Sequence, residues 1–393
     1  MNTPAADGHN PLRRLTLADL RSKQGIKWRR YPEDVLPLWI ADMDAVPPTA
    51  VVDAVNEALG RGDTGYPPFD PALALAWDHF ASVRWGWRVD PDRTLVVPSV
   101  LTGITETLKV ITAPGDAVVV NSPGYGPHLS IIRGLGRRPV EVPLGPGHRI
   151  DLDALRAAFS DGAGGGRPRA LLLCSPHNPT GTVHTAAELT AVAELAGEFG
   201  VRVLTNEIHA PLVPAGARHV PYLSVPGSDD AVSVFSASKG WHLSGFRGGL
   251  LAWGADSGPD MRRIPMDMLH ELSGIGVIAQ TAALNHGIGW LDDLLVGLDE
   301  NRRLLAELLA DHLPEVRHRQ PEGTYLAWLD CRELNLGDDP AAAFLERSRV
   351  ALTPGSEFGR GGEGHVRLNF ATSPEILTDA VHRMAKVRDT PSR

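Results

Sequence analysis

Between residues 95 and 255, short apolar runs alternate with segments whose apolar residues repeat at helical spacing. Apolar runs this continuous are typical of strands covered on both faces, as in a mostly parallel sheet. One intervening segment begins with Thr185 as a candidate N-cap and Glu188 three residues later, the pattern of a capping box. We therefore predict an α/β fold with strands at residues 117–120, 170–173, 201–204, 232–235 and 249–252.

The pattern changes beyond residue 290. Leucines at helical spacing between Leu291 and Leu308 predict a long helix, and separate strands follow around residues 324–331 and 365–371. This arrangement indicates a second, smaller α+β domain. We expect an N-terminal segment of residues 1–45 that joins the small domain, a large domain of residues 46–290 and a small C-terminal domain of residues 291–393.

Residues 272–291 contain no Asp, Glu, Lys or Arg and are numerous enough to cross a bilayer. Four glycines together with Gln280, Asn285 and His286 make the stretch too polar and too flexible for a membrane-spanning helix. A buried or interface segment is the better interpretation. Residues 1–10 lack the basic and then apolar pattern of a secretory signal, so we expect a cytoplasmic protein that does not bind membranes.

The composition argues against a nucleic-acid binder and against a protein held together by disulfides or zinc. Lys and Arg total 38 against 47 Asp and Glu, for a net charge of −9, whereas a nucleic-acid binder normally has a basic excess. Two cysteines, Cys174 and Cys331, are too few for a disulfide framework or a four-thiolate zinc site, and we expect reduced core thiols and no metal. The glycine-rich residues 162–166 are not followed by a phosphate-loop lysine, which favours a surface turn.

In open α/β sheets, ligands lie beyond the carboxyl ends of the strands. Four predicted strands end in sequences with unusual polar groups. These sequences are Ser122-Pro123-Gly124-Tyr125, Ser175-Pro176-His177-Asn178-Pro179-Thr180-Gly181, Thr205-Asn206-Glu207-Ile208-His209 and Ser236-Ala237-Ser238-Lys239. We expect a ligand site where these four ends meet.

Lys239 is one of five lysines in the chain, and Arg247 follows it by eight positions. A cationic neighbour lowers the pKa of a lysine amine and favours Schiff-base chemistry. The hydroxyls of Ser236 and Ser238, with the planar guanidinium of Arg247, are suited to binding a phosphate. A phosphate and a Schiff-base lysine point to pyridoxal 5'-phosphate (PLP). Taken alone, the string Ser-Ala-Ser-Lys also fits an ordinary solvated turn.

Several motifs in combination resemble the fold-type I aminotransferase superfamily: Asn-Pro-Thr-Gly at 178–181, a polar residue 28 positions after Asn178, and Ser-x-Ser-Lys with its arginine. Residues 38–44, 174–181, 207–209 and 324–328 are similar to the cystathionine β-lyase branch typified by the bacterial MalY and PatB proteins. The resemblance extends from about residue 25 to residue 388. It implies a large domain with a mostly parallel seven-stranded sheet, a smaller α+β C-terminal domain, PLP as cofactor, and a homodimer with its sites at the subunit interface.

The resemblance also implies roles for individual residues. Lys239 would form the Schiff base and then move the Cα proton of the substrate, and Tyr125 would stack on the cofactor ring. Asn178 and His209 would reach the 3-oxygen of the ring. The phosphate would be bound by Val100, Leu101, Ser236, Ser238, Arg247 and, from the partner subunit, Tyr66.

On the substrate side, the resemblance implies that Arg367 clamps the carboxylate, with Asn178 beside it, and we expect Trp241 to form a pocket wall. Each of these residues has a plainer interpretation. By strand period Arg367 could point to solvent, and Tyr66 could be a turn residue. Tyr125 could be a core aromatic and His209 a structural histidine.

Asn206 departs from the family, which has Asp at this position to keep the pyridine nitrogen protonated. Asn is neutral and can form a hydrogen bond to the ring without holding the extra proton, so we expect a weaker electron sink. The resemblance implies a C–S β-lyase that acts on a cysteine S-conjugate. The alternatives are an aminotransferase or a decarboxylation-coupled oxidative deaminase of a natural-product pathway, and a regulatory or binding module on this fold.

Overall fold

The computed structural model describes residues 10–68, 70–161 and 165–388. In these ranges the helices are α1 (Leu17–Ser22), α2 (Ile26–Arg29), α3 (Thr49–Arg61), α4 (Ala72–Trp85), α5 (Val100–Ile111), α6 (Gly126–Gly134), α7 (Leu152–Asp161), α8 (Ala186–Phe199), α9 (Gly258–Met261), α10 (Gly274–His286), α11 (Ile288–His312), α12 (Pro340–Ala343) and α13 (Pro374–Ala385). The strands are β1 (Leu36–Pro37), β2 (Thr94–Val97), β3 (Ala117–Ser122), β4 (Arg138–Pro143), β5 (Ala170–Cys174), β6 (Arg202–Asn206), β7 (Val232–Phe235), β8 (Gly249–Trp253), β9 (Arg317–His318), β10 (Leu326–Asp330), β11 (Val350–Ala351), β12 (Thr353–Pro354) and β13 (His365–Asn369).

A seven-stranded sheet has the strand order β2-β8-β7-β6-β5-β3-β4. Strand β3 pairs in parallel with β4 and β5, and β6 pairs in parallel with β5 and β7. Strand β8 runs in the direction opposite to the other six strands, since it pairs antiparallel with β2 and β7. The predicted α/β fold with a mostly parallel seven-stranded sheet is confirmed.

Helices cover both faces of this sheet. In β3, Val118 and Val120 belong to the same apolar cluster as Ile104 of α5. Val119, between them, points to the other face and packs in a cluster with Val192 of α8. Because alternate residues of a strand point to opposite faces, a sheet covered on both sides needs continuous apolar strands.

The predicted capping box opens α8. The side-chain oxygen of Thr185 accepts from the backbone amide of Glu188, and the Glu188 carboxylate accepts from the backbone amide of Thr185. The helix ends at Phe199 and is capped by Gly200, whose φ of 65° is a left-handed conformation that glycine adopts without strain. The capping box and Gly200 thus fix the two ends of α8, which covers one face of the large sheet.

A smaller antiparallel sheet has the order β12-β13-β10-β9 and carries α11 and α13 against it. The N-terminal segment joins this region, since β1 pairs in parallel with β11 and the amide of Asp44 donates to the carbonyl of Ala371. This contact agrees with the expected course of the N-terminal segment. The domain boundaries at residues 45 and 290 stay a prediction.

The uncharged stretch forms α10, which packs against α3 and α4 and buries Ala279, Gln280 and Ala283. The segment is therefore buried on the side that faces α3 and α4, and the interface alternative stays a prediction. No helix in the described ranges is both long and apolar enough to traverse a lipid bilayer. Cys174 and Cys331 are free and buried, and burial raises the pKa of each thiol to about 12.

Residues 1–9, 69, 162–164 and 389–393 lie outside the described part of the chain. The interpretations of the N-terminus and of the glycine-rich loop therefore stay predictions.

Candidate active site

The carboxyl ends of four parallel strands meet at one edge of the large sheet. Strands β3, β5, β6 and β7 end at Ser122, Cys174, Asn206 and Phe235. Cys174 is paired with Asn206 across the sheet, and Asn206 with Val234. The segments that follow these ends carry most of the predicted site residues, and β13 of the smaller sheet adds one more; the set is Tyr125, Asn178, Asn206, His209, Lys239 and Arg367.

Lys239 lies in the turn that follows β7 and is partly buried. Its Nζ donates to the carbonyl of Ala41 over 2.5 Å and to Oγ of Ser244 over 3.3 Å. Burial lowers the pKa of Lys239 from 10.5 to about 8, while the charge of Asp42 opposes the shift and that of Arg367 adds to it. An amine with this pKa has a reactive neutral fraction near neutral pH, as a nucleophile or general base requires.

A candidate anion site lies beside the start of β8 and includes Ser236 and Ser238. Ser236 donates to the carbonyl of Gly248 over 2.8 Å and accepts from the amide of Ser238 over 3.1 Å. Gln280 of α10 lies next to them, with its Oε1 accepting from the amide of Ala237 over 3.0 Å. Its Nε2 is buried without a hydrogen-bond partner among the described residues. A free buried donor at this place fits an anionic ligand.

The N-terminus of α5 approaches the same place. A Cβ added to Gly249 would lie 3.5 Å from the backbone nitrogen of Val100, so the start of the helix with Val100 and Leu101 faces the start of β8. Arg247 is exposed, has a φ of 21°, and forms no hydrogen bond or ion pair with any residue that the structure describes. Helix N-termini and arginine side chains both bind phosphate, so this group of residues fits the phosphate of PLP.

Arg367 is buried, with 5% of its surface exposed, so the interpretation in which it points to solvent is wrong. Its Nη1 donates to Oδ1 of Asn178 over 3.1 Å, and Nη2 donates to the carbonyl of Trp39 over 3.0 Å and to Oγ1 of Thr353 over 3.2 Å. Its Nε is buried without a partner in the described structure. Burial lowers the pKa of Arg367 to about 10, so the guanidinium stays charged at neutral pH and can bind a carboxylate.

The segment of residues 38–45 passes directly over Lys239 and Arg367, and its carbonyl groups accept hydrogen bonds in succession. Trp39 accepts from Arg367, and Ile40 accepts from Asn369. Ala41 accepts from both Lys239 and the hydroxyl of Tyr325, the latter over 3.0 Å. The smaller sheet and the N-terminal segment thus position the lysine from the side opposite the large sheet.

Asp42 and His242 form a polar pair near Lys239, with Oδ1 of Asp42 3.1 Å from Nδ1 of His242. Burial raises the pKa of Asp42, but the hydrogen bond and charge of His242, with the charges of Lys239 and Lys27, outweigh it and lower the pKa to about 2.

The sequence interpretation gave no role to four residues near the site, namely Asp42, His242, Tyr325 and Gln280. Asp42 and Tyr325 lie in two of the motifs that carry the resemblance, which was the available signal; for Gln280, in a helix far along the chain, there was none.

Asn206 is buried at the end of β6, beside the buried His128 of α6. Its Nδ2 lies 3.0 Å from Nε2 of His128, and its Oδ1 accepts from the amide of Ile208 over 3.2 Å. Burial lowers the pKa of His128 to about 3, so its imidazole is neutral. The sequence interpretation did not include His128, which lies three residues after Tyr125.

Tyr125 and Arg367 line one cavity of about 600 Å³, together with Trp39 and Phe358. Tyr125 is half-buried, and its ring meets that of His128 edge to face. His209 is buried against Tyr325, with its Nδ1 unpaired in the described structure. Burial lowers the pKa of His209 to about 3, with smaller effects from Lys239 and Arg367, so the neutral ring is available to bind a ligand oxygen.

Tyr66 lines a different cavity from Tyr125 and Arg367. Its side chain is 80% exposed and lines a groove of about 980 Å³ between α3, α4 and α10. The role of Tyr66 stays a prediction.

The expectation for Trp241 is wrong. Its side chain is completely buried, donates from Nε1 to the carbonyl of Gly287 over 2.8 Å and packs against Phe80. Trp241 follows Lys239 by two residues, but the turn directs it into the core beneath the site. It therefore does not line the pocket.

Comparisons with known proteins agree with this geometry. The family model described as aminotransferase class I and II matches residues 33–384. The chain belongs to this family. A Mycobacterium leprae protein that is provisionally named a cystathionine beta-lyase is 49% identical, with 96% of this chain and 98% of that protein covered.

Cystathionine beta-lyase PatB of Bacillus subtilis is 32% identical, with 92% of this chain and 96% of PatB covered. A crystal structure from Corynebacterium diphtheriae, provisionally titled a PLP-dependent beta-cystathionase, superposes with a TM-score of 0.90 at 30% identity and covers 96% of this chain and 99% of that one. The predicted fold-type I PLP superfamily and its MalY and PatB branch are thereby confirmed.

Proposed function

We propose that the chain is a PLP-dependent carbon–sulfur β-lyase that acts on a cysteine S-conjugate. The observation that carries the proposal is Lys239, whose amine has a lowered pKa, feels the charge of the buried Arg367 and follows directly after the serines of the candidate anion site. The names of the relatives support the same reaction, since PatB and its relative in Corynebacterium glutamicum are both called cystathionine beta-lyase.

Once the substrate amine has replaced Lys239 on the aldehyde carbon, PLP would withdraw electrons from the substrate Cα and make its proton removable. Side chains of this chain would bind the substrate and move its proton. Arg367 would hold the substrate carboxylate through donors that include the unpaired Nε. The neutral amine of Lys239 would take the Cα proton, and the carbonyl of Ala41 would keep the resulting ammonium in place.

The cavity beside Arg367 is suited to the sulfur substituent. Aromatic and aliphatic side chains form its walls, namely Trp39, Ile40, Tyr125, Leu129 and Phe358. Charged groups of Arg133, Glu141 and Glu357 also line it. These walls favour a conjugate whose sulfur carries a group with apolar carbon next to the sulfur and a polar end.

We also propose a homodimer in which Tyr66 of each subunit completes the site of its partner. The exposed Tyr66 and the groove that it lines are available for a second copy of the chain. The edge-to-face contact of Tyr66 with His270, at 5.7 Å between ring centres, connects this surface to the segment before α10.

Incubation of the PLP-loaded protein with cystathionine and other cysteine S-conjugates tests the reaction. We expect pyruvate, ammonia and a free thiol in equal amounts, and no turnover with Lys239→Ala. A keto acid that retains its sulfur would instead indicate an aminotransferase, and carbon dioxide with an aldehyde would indicate an oxidative decarboxylase. Absence of a PLP absorption band that borohydride abolishes would indicate a binding module.

A further inference from the structure

The hydrogen bonds of Asn206 fix the orientation of its amide. The backbone amide of Ile208 is a donor and cannot exchange its role, so the atom of Asn206 that faces it at 3.2 Å must be the oxygen Oδ1. The amide nitrogen Nδ2 therefore faces His128. A rotation that exchanged the two atoms would place two donors against each other at Ile208.

This orientation also decides the tautomer of His128. Since Nδ2 of Asn206 is a donor, Nε2 of His128 must accept at 3.0 Å, and the neutral ring must carry its proton on Nδ1. The pKa of His128, which burial lowers to about 3, agrees with a neutral ring. His128 thereby accepts a hydrogen bond from one of the two N–H groups of Nδ2.

The second proton on Nδ2 has no acceptor among the described residues. Asn206 is 2% exposed, so this donor is also shielded from water. A buried donor of this kind needs an acceptor. In contrast, an Asp at the same place offers acceptors only, and favours a protonated nitrogen opposite it.

We propose that Asn206 and His128 act as a matched pair that holds the pyridine nitrogen of the cofactor unprotonated, with Asn206 donating to it and His128 orienting Asn206. The inference rests on the PLP-dependent function proposed above. Asn206 is the residue that meets the cofactor, and His128 is a positioning residue.

The pair has a consequence for the reaction. An unprotonated ring nitrogen withdraws fewer electrons from Cα, so a negative charge at Cα is less stabilised. Elimination avoids a long-lived charge when the sulfur leaves as the proton is removed, whereas transamination must return a proton elsewhere on the delocalised system. The pair thus favours β-elimination over transamination.

The first experiment uses the holoenzyme loaded with PLP that carries ¹⁵N in the ring, and measures the ¹⁵N chemical shift. We expect the shift of a free-base pyridine in the native protein and the shift of a pyridinium in Asn206→Asp. Asn335→Asp adds the same charge at an exposed turn and should leave the shift unchanged. A pyridinium shift in the native protein would overturn the inference and leave the proposed function standing. Failure of PLP to form a borohydride-reducible bond with Lys239 would overturn both.

The second experiment needs no cofactor. In apoprotein labelled with ¹⁵N-histidine, the His128 ring is assigned by the loss of its signals in His128→Gln. We expect the proton on Nδ1 in the native protein and on Nε2 in Asn206→Asp, because a carboxylate would require His128 to donate. A native His128 with its proton on Nε2 would overturn the proposed pair, whatever the reaction of the enzyme.

Discussion

Arg367 donates a hydrogen bond to Oδ1 of Asn178 over 3.1 Å, although 189 positions separate the two residues. Arg367 lies on β13 of the smaller sheet, and Asn178 lies in the turn after β5 of the large sheet. The bond joins the two sheets at the place where we propose that the substrate carboxylate binds. The geometry of the carboxylate site thus depends on the contact between the two parts of the molecule.

Arg367→Lys should raise KM for the amino acid substrate more than it lowers kcat. Lysine keeps the charge but loses the planar fork, and hydrogen bonds to charged groups contribute about 1.5–3 kcal/mol each, or roughly a ten- to hundredfold effect. Steady-state kinetics with one S-conjugate measures KM and kcat for each variant. Arg156→Lys, at an exposed ion pair with Glu198, is the matched control and should leave KM unchanged. An unchanged KM in Arg367→Lys would contradict the assigned role.

The rate at which apoprotein captures PLP should rise with pH through a midpoint near 8 and then level off. The neutral amine is the nucleophile, and burial lowers the pKa of Lys239 to about 8 from 10.5. Stopped-flow absorbance over a pH series measures the rate. Lys109→Ala, at a surface ion pair, should show the same midpoint, and Lys239→Ala should capture no PLP. A midpoint near 10.5 would show that the amine is not perturbed.

Mixing Tyr66→Ala with Lys239→Ala should restore activity that each variant lacks alone. If Tyr66 of one subunit serves the lysine of the other, a mixed dimer contains one intact site. A statistical mixture would then recover about a quarter of the native activity, because half of the dimers are mixed and each has one of two sites. Joint refolding followed by a pyruvate assay measures this. No recovery above the sum of the separate variants would argue that Tyr66 acts within its own subunit.

Asp44→Asn should destabilise the fold strongly. Lys27 and Asp44 form an ion pair of 2.8 Å with side chains 2% and 1% exposed, and breaking such a pair leaves a buried charge at a cost of about 3–5 kcal/mol. Adding Lys27→Met should recover part of the loss. Chemical denaturation gives the free energies of unfolding. Glu57→Gln, at the exposed pair with Arg61, should cost less than about 1 kcal/mol. Equal losses for Asp44→Asn and Glu57→Gln would refute the prediction.

The sequence alone determined the parallel sheet, the smaller sheet and the strand ends at which the site residues gather. Continuous apolar runs and the capping box at Thr185 are local patterns, and the carboxyl ends of parallel strands must meet at one edge. Lys239, Arg367 and Asn178 could therefore be named in advance as neighbours, with help from the family resemblance.

Tertiary structure decided which way the side chains point and which distant residues join them. Trp241 turns into the core, and Gln280 arrives from a helix that no local signal connects to the site. His128 meets Asn206 only because α6 packs beside the end of β6. Hydrogen bonds between elements far apart in the chain depend on which elements pack together, and the local spacing of residues does not specify those partners.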